Sequence, residues 1–316
     1  MKKILVIEYS QTGQLTAVLD AMLAPLTEPG TPCLVRREVL RPVTPYPFPW
    51  PFWRFLDTFP ETVALEGTPL QPLTVSPDES FDLVILGFPV WFLSPPPPIT
   101  AFLRSASARR LLAGRPVVTV TACRNMWLMA QEDVKTLLSA AGARHSDHIA
   151  LVDQGSAFAT FITTPRWMWT GRRDRFLGLP PAGVSRHDIG ACRRFGLAVR
   201  AALARDEERG GAPLLQGLRA CTVDARLIAS ERVGKRSFRI WSRVLRATGR
   251  PGAVPRRILL AAYLVFLLGL ILTVVPLSIL VKALLRPLVR TRLEAAKLEF
   301  EKPSGAGDFR LALFHE

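Results

Sequence analysis

Residues 2–23 read Lys-Lys-Ile-Leu-Val-Ile-Glu-Tyr-Ser-Gln-Thr-Gly-Gln-Leu-Thr-Ala-Val-Leu-Asp-Ala-Met-Leu, and the change of period inside them decides the fold. Lys3 to Glu8 is a short β-branched run. Leu15, Val18, Leu19, Met22 and Leu23 then fall at helical spacing. Ser10 to Gln14 carry turn chemistry between the two patterns. The stretch reads strand, loop, helix.

The unit recurs along the chain. Cys33 to Leu40 reads as a strand, Phe81 to Gly87 as a strand apolar on both faces, and Ile99 to Leu112 as one helix. Pro116 to Ala122 is another buried strand, Met129 to Ala141 is helical, Ala143 to Val152 is extended, and a helix comes next from about His187 to Arg205. Strands that alternate with helices and are apolar on both faces predict an α/β fold, a doubly wound parallel sheet covered by helices on each side. Two segments fall outside that scheme. Arg41 to Pro77 is rich in Pro and aromatics, and Gln154 to Val184 sets Phe158, Phe161, Trp167, Trp169 and Phe176 among arginines. Insertions of that length carry function, and both are read as parts of a pocket lid.

The first loop is a receptor for a phosphate dianion. The first N–H groups of a helix lack partners and its dipole is positive there; Ser10 and Thr12 add hydroxyl donors, and Gly13 lets the backbone approach. These residues resemble the flavodoxin pattern (Ser/Thr)-x-Thr-Gly-x-(Ser/Thr), with Leu15 departing from it and Gln14 or Thr16 left to supply the missing donor. The resemblance implies a five-stranded sheet in the order 2-1-3-4-5 and FMN as cofactor, its phosphate held by Ser10, Gln11, Thr12, Gly13, Gln14 and Leu15.

A second loop after the third strand, Phe88-Pro89-Val90-Trp91-Phe92, looks like the segment that wraps the isoalloxazine in flavodoxin-like NAD(P)H:quinone reductases. Pro89, Val90, Trp91 and Phe92 inherit that role. Ligands bind at the C-terminal ends of strands in open α/β sheets, which is where this loop lies. The third loop position holds Thr121, Ala122, Cys123, Arg124, Asn125, Met126 and Trp127. Arg124 reads either as a cation beside reduced flavin or as a solvated charge, and Cys123 as a small buried hydrophobe. No Ser-His-Asp set is evident, as a redox cofactor that does its own chemistry would predict. His145 and His148 read as a surface turn rather than a proton-donor pair, and Asp153 is a candidate proton relay.

From Ile258 to Val281 run 24 consecutive uncharged residues. At 1.5 Å per residue that is ~36 Å, enough to cross a ~30 Å hydrocarbon core. Arg256 and Arg257 precede the run and Lys282, Arg286, Arg290 and Arg292 come after it, so the flanks are basic on both sides. Two arrangements stay open: a single span, or a monotopic segment turning back at Pro276. The net charge is +15, of which 11 falls in residues 226–316, with 17 Lys/Arg against 6 Asp/Glu. Beside such an apolar run the excess points to anionic lipid and away from nucleic acid. Cys33, Cys123, Cys192 and Cys221 are scattered, with no metal-ligand spacing, which fits a reducing compartment. Ile4 to Ile7 is too short for a signal-peptide core, which keeps the N-terminus in the cytoplasm.

The expected organisation is therefore an FMN domain over 1–210 with insertions at 41–77 and 154–184. Next come a basic linker or amphipathic segment over 211–257, a membrane-anchoring apolar helix over 258–285 and a polar tail over 286–316, on the cytoplasmic face of the membrane. The combination of Tyr9 to Leu15, Tyr46-Pro47-Phe48-Pro49-Trp50 and the hydrophobic C-terminal segment resembles flavodoxin-like proteins of the dialkylresorcinol-condensing-enzyme group. That resemblance implies an FMN oxidoreductase acting on a lipophilic substrate beside a ketosynthase, with oxidative aromatisation of a cyclic dione as the step that suits a flavin. The quinone-reductase resemblance implies instead NAD(P)H as electron donor and a homodimer. A third reading is a non-catalytic membrane adaptor that has lost its cofactor.

Overall fold

The computed structural model describes residues 1–314, leaving aside the side chains of residues 274–290. Five parallel strands, β1 (Lys2–Glu8), β2 (Cys33–Val39), β3 (Leu83–Phe88), β4 (Pro116–Cys123) and β5 (Arg144–Val152), form one sheet in the order β2-β1-β3-β4-β5. All of β3 and β4 is buried, as strands covered on both faces require. On one face pack α1 (Gln14–Thr27) and α8 (Arg193–Ala204), which approach so closely that a Cβ at Gly196 would collide with the Met22 carbonyl. On the other lie α3 (Pro97–Arg104), α4 (Ala106–Leu112) and α5 (Leu128–Ala140).

Three elements differ from the sequence reading. The helix expected over Ile99 to Leu112 is two, because Ser105 leaves the helical conformation and its hydroxyl caps α4 at the Ala108 N–H, 3.0 Å away. The aromatic insertion at 41–77 is not all loop: Phe52–Val63 forms α2, started by the extended Pro51. The insertion at 154–184 contains α6 (Ala157–Thr170), capped by Ser156, and the short α7 (Arg186–Gly190) precedes α8.

Beyond the sheet domain, α9 (Ala225–Ala247) lies across α2 and α5, and α10 (Val254–Glu301) begins against α9 and α2. Within α10, Val254–Thr273 is long and apolar enough to cross a membrane. Lys282, Arg286 and Arg290 fall outside the described side chains, and at Pro276, where a turn back was one of the two expectations, the helix α10 continues without a break. Past α10 the chain returns to the open edge of the sheet. Ser304 is fully buried, accepts from the His148 N–H at 2.8 Å and donates to Asp147 at 2.8 Å, while Phe314 packs against the core of α1 and α8.

Candidate functional site

The loops after β1, β3 and β4 converge on one cavity of about 160 Å³ at the C-terminal end of the sheet. From the first loop it is lined by Gln11, Thr12 and Gln14; from the second by Pro89, Val90, Trp91 and Phe92; from the third by Ala122, Cys123 and Arg124. The remaining wall comes from the two insertions, through Phe48, Trp50, Phe55, Trp167 and Met168.

Gly13 takes φ +77° as the N-cap of α1, and nothing lies within 4 Å of where its Cβ would be. Beside it the Ser10 hydroxyl is buried with no hydrogen-bond partner among the described residues, and so is the Thr164 hydroxyl on the cavity wall. Buried polar atoms of this kind are uncommon and call for a partner. Of the two candidates for the missing donor, Thr16 is committed, its hydroxyl donating to Glu8 at 3.1 Å; the Gln14 Oε1 accepts from the Val184 N–H at 2.8 Å, which occupies the amide oxygen and not the donor nitrogen. Gln11 is also committed, donating to the Pro47 carbonyl at 2.8 Å and accepting from the Trp50 indole at 2.9 Å.

The second loop is strained. Phe92 and Leu93 both have positive φ, 49° and 57°, a conformation that costs non-glycine residues about 1–3 kcal/mol each and persists only when the surroundings hold it. Trp91 and Ser94 exchange backbone hydrogen bonds of 2.9 Å across the turn. From below, the buried Lys235 of α9 donates to the Leu93 carbonyl at 2.9 Å and to the Ser94 hydroxyl at 2.6 Å, and pairs with Asp133 of α5. Burial pulls the Lys235 pKa down and Asp133 pulls it back up. Nothing local in the sequence announces this clamp, since Asp133 and Lys235 lie 102 residues apart.

Aromatic rings close the site. Trp91 meets Tyr46, Trp50 and Tyr9 edge-to-face with centroids 5.1, 5.3 and 5.8 Å apart. The two insertions meet over the cavity: the Trp50 N–H donates to the Met168 carbonyl at 2.8 Å, and Phe48 meets Trp167 at 6.2 Å.

In the third loop, Arg124 is held by Thr160 at 2.9 Å and by the Ala157 carbonyl at 3.2 Å, and burial lowers its pKa from the ordinary arginine value. Burial drives the Cys123 thiol far above its usual range, so it is no nucleophile at neutral pH. Asp153 lines the cavity, and its two oxygens accept from the Gly155 and Gly183 N–H groups at 2.8 and 2.7 Å, tying both ends of the second insertion together. Six of the residues picked from sequence do not line the cavity; Ser10 and Gly13 stay in the loop before α1. Leu15 is in the core beneath α1, Thr121 bonds the Phe88 carbonyl at 2.9 Å, and Asn125 and Trp127 face a separate small cavity beside α9.

His145 and His148 form no surface turn. Both lie in β5, where a bulge opposite Val117 and Val118 carries them inward, and both meet the Thr119 hydroxyl, at 2.9 and 2.8 Å; Gln131 bonds Thr119 at 3.0 Å. Burial, with Lys135 nearby, pushes the His145 pKa down to about 4 from 6.5. A folded pKa below the unfolded one means stability is full above pH 6.5 and is lost as pH falls toward 4, by about 3 kcal/mol for this group. Asp147, raised to about 6 by burial, works in the opposite sense. Comparing urea unfolding of the wild type with that of His145→Gln cancels the Asp147 effect, and the variant should lose less stability between pH 7 and pH 4.5. Equal losses would place the acid sensitivity elsewhere.

No protein-family model matches the sequence, and neither does any curated protein. Among solved structures, the chain is similar to a flavoprotein in complex with FMN from Lactobacillus acidophilus NCFM, at 14% identity over 48% of this chain and 93% of that one, TM-score 0.39. It is similar also to a putative flavoprotein from Bacteroides eggerthii DSM 20697 (17% identity, 48% and 89% covered, TM-score 0.38) and to oxidised flavodoxin 1 from Bacillus cereus (16% identity, 62% and 95% covered, TM-score 0.33). Likenesses this distant carry no argument about the site; the strand order 2-1-3-4-5, with crossovers on both faces, is the flavodoxin-like arrangement by itself.

Proposed function

We propose that the chain is an FMN-dependent oxidoreductase anchored at the cytoplasmic face of a membrane and acting on a lipophilic substrate. The observation that carries this reading is the convergence of the three strand-end loops on one aromatic-walled cavity beside an unpartnered buried serine at a helix N-terminus.

The residues present fit the phosphate end of FMN. Ser10 offers its unused hydroxyl, Thr12 its exposed side chain, and the first turn of α1 its N–H groups and dipole. The ring would lie among Pro89, Val90, Trp91, Trp50 and Arg124. At about 160 Å³ the cavity is smaller than the ~300 Å³ at which small-molecule sites begin, so the ring enters only as Phe48, Trp50 and Phe55 move outward. When bound, FMN supplies the two-electron acceptor. The protein orients it with the Trp91 loop, excludes water with the two insertions, and presents the Arg124 cation.

The substrate that suits an aromatic-walled site next to an apolar helix is a cyclic dione carrying alkyl chains, oxidised to a resorcinol in dialkylresorcinol-type lipid biosynthesis, with a ketosynthase as neighbour in the pathway. The Pro89 to Phe92 loop at the cavity favours a second reading, NAD(P)H:quinone reductase. The small cavity, with Leu15 in place of a hydroxyl donor, favours a third, a flavin-free adaptor.

The deciding experiment is the absorption spectrum of detergent-purified protein with release and identification of any flavin. About one FMN per chain is expected; assays on alkyl cyclohexanediones and on quinones with NAD(P)H then separate the two enzymes. A colourless protein that takes up no added FMN leaves the adaptor.

A further inference from the structure

Resting on the membrane reading above, we infer that the apolar segment is a monotopic anchor: both of its flanks lie on the same side of an anionic bilayer as the sheet domain. The flanks themselves carry this. At the start of α10, Tyr263 stacks on Phe59 of α2 at 5.3 Å and meets Trp241 of α9 at 4.7 Å, while Arg256 is buried in ion pairs with Asp57 and Glu61. At its end, Phe300 lies under the guanidinium of Arg232, 5.2 Å from the ring, and Glu301 accepts from the Val223 N–H at 3.1 Å.

Trp241 and Arg232 are thus the two docking points, and both are on α9. Nine residues apart on one helix, they are separated by ~13 Å, whereas Tyr263 and Phe300 would be ~55 Å apart along a straight helix. α10 is therefore not straight between these two contacts, and the apolar segment leaves the domain and rejoins it on one face. The chain past Glu301 is held more firmly still, since Ser304 is buried against Asp147 and the Arg219 and Cys221 N–H groups donate to the Gly307 and Gly305 carbonyls. A single span would leave this tail across the membrane from the sheet it is bonded to.

The occupant is specified by the surface. Ile258, Val265 and Leu272 are 67, 72 and 71% exposed, far more than apolar side chains tolerate in water as a contiguous stripe. On α9, in the turn after it and at either end of the apolar run, Arg236, Arg243, Arg250, Arg257 and Arg292 are exposed and make no ion pair among the described residues. An apolar wedge rimmed by unpaired cations matches anionic lipid: acyl chains take the wedge and phosphates the rim.

The test uses full-length protein with Cys33→Ala, leaving only buried cysteines, and either Ala24→Cys on α1 or Leu313→Cys in the tail, both exposed. Each is expressed in a bacterial host and treated with a membrane-impermeant maleimide in intact spheroplasts and in inverted inner-membrane vesicles. Both cysteines should react in inverted vesicles and stay silent in spheroplasts. Leu313→Cys reacting in spheroplasts while Ala24→Cys does not overturns the inference and leaves the membrane reading standing as a single span. Recovery of the protein in the soluble fraction overturns both.

Discussion

Replacing Lys235 by Met should lower unfolding stability by about 3–5 kcal/mol, the loss usual when one member of a buried ion pair is removed and the other is left uncompensated. Lys235 and Asp133 are both buried, so the carboxylate loses its closest cation, with only the exposed Arg239 remaining at 3.3 Å. The Leu93 carbonyl and the Ser94 hydroxyl lose their donor in the same step, and the positive-φ pair Phe92–Leu93 loses its brace. Urea unfolding in detergent gives the stability. Adding Asp133→Leu should recover a good part of it, because a well-packed apolar pair replaces a buried ion pair at little or no cost. A loss below about 1 kcal/mol for the single variant would show that the clamp does not hold the second loop.

Thr12→Asp should weaken FMN at least about 100-fold, close to 3 kcal/mol, while leaving riboflavin binding nearly unchanged. Thr12 is exposed immediately before α1, where a carboxylate suits the helix dipole, so folding is kept or slightly improved. The same carboxylate stands where a phosphate dianion needs donors and repels it. The comparison with riboflavin makes the result specific, since only the phosphate distinguishes the two ligands. Fluorescence titration measures both. Equal FMN affinity in the variant and the wild type would mean that the phosphate is not held at the start of α1.

The sheet was readable in the sequence because β3 and β4 are short, largely apolar runs alternating with helical patterns, as strands covered on both faces require. The strand-end loops were readable for the same reason, their positions being set by the strands. Where the reading departs from the structure, the deciding contacts come from distant parts of the chain. His145, Asp147 and His148 look like a polar turn until Thr119, Gln131, Ser304 and the Leu214 and Leu215 N–H groups are brought around them. Residues 301–314 look like a polar tail because Glu301 and Ser304 give no sign that their partners lie on β5 and beside it. In α2 the prolines suggest loop, but Pro51 sits at the N-cap, where its missing N–H does no harm, and Pro60 falls in the last turns of the helix, which ends three residues on at Val63.

α2 belongs to two surfaces at once. Its Phe55 lines the cavity and meets Phe92 at 4.8 Å, and one turn on, Phe59 meets Phe92 at 5.3 Å and stacks against Tyr263 of the apolar helix. Asp57 and Glu61 of the same helix hold Arg256. The cavity wall and the start of α10 are therefore joined through the rings of Phe55, Phe92, Phe59 and Tyr263. On the proposed reading, whatever factor a bilayer adds to ligand affinity, the ligand returns to bilayer affinity.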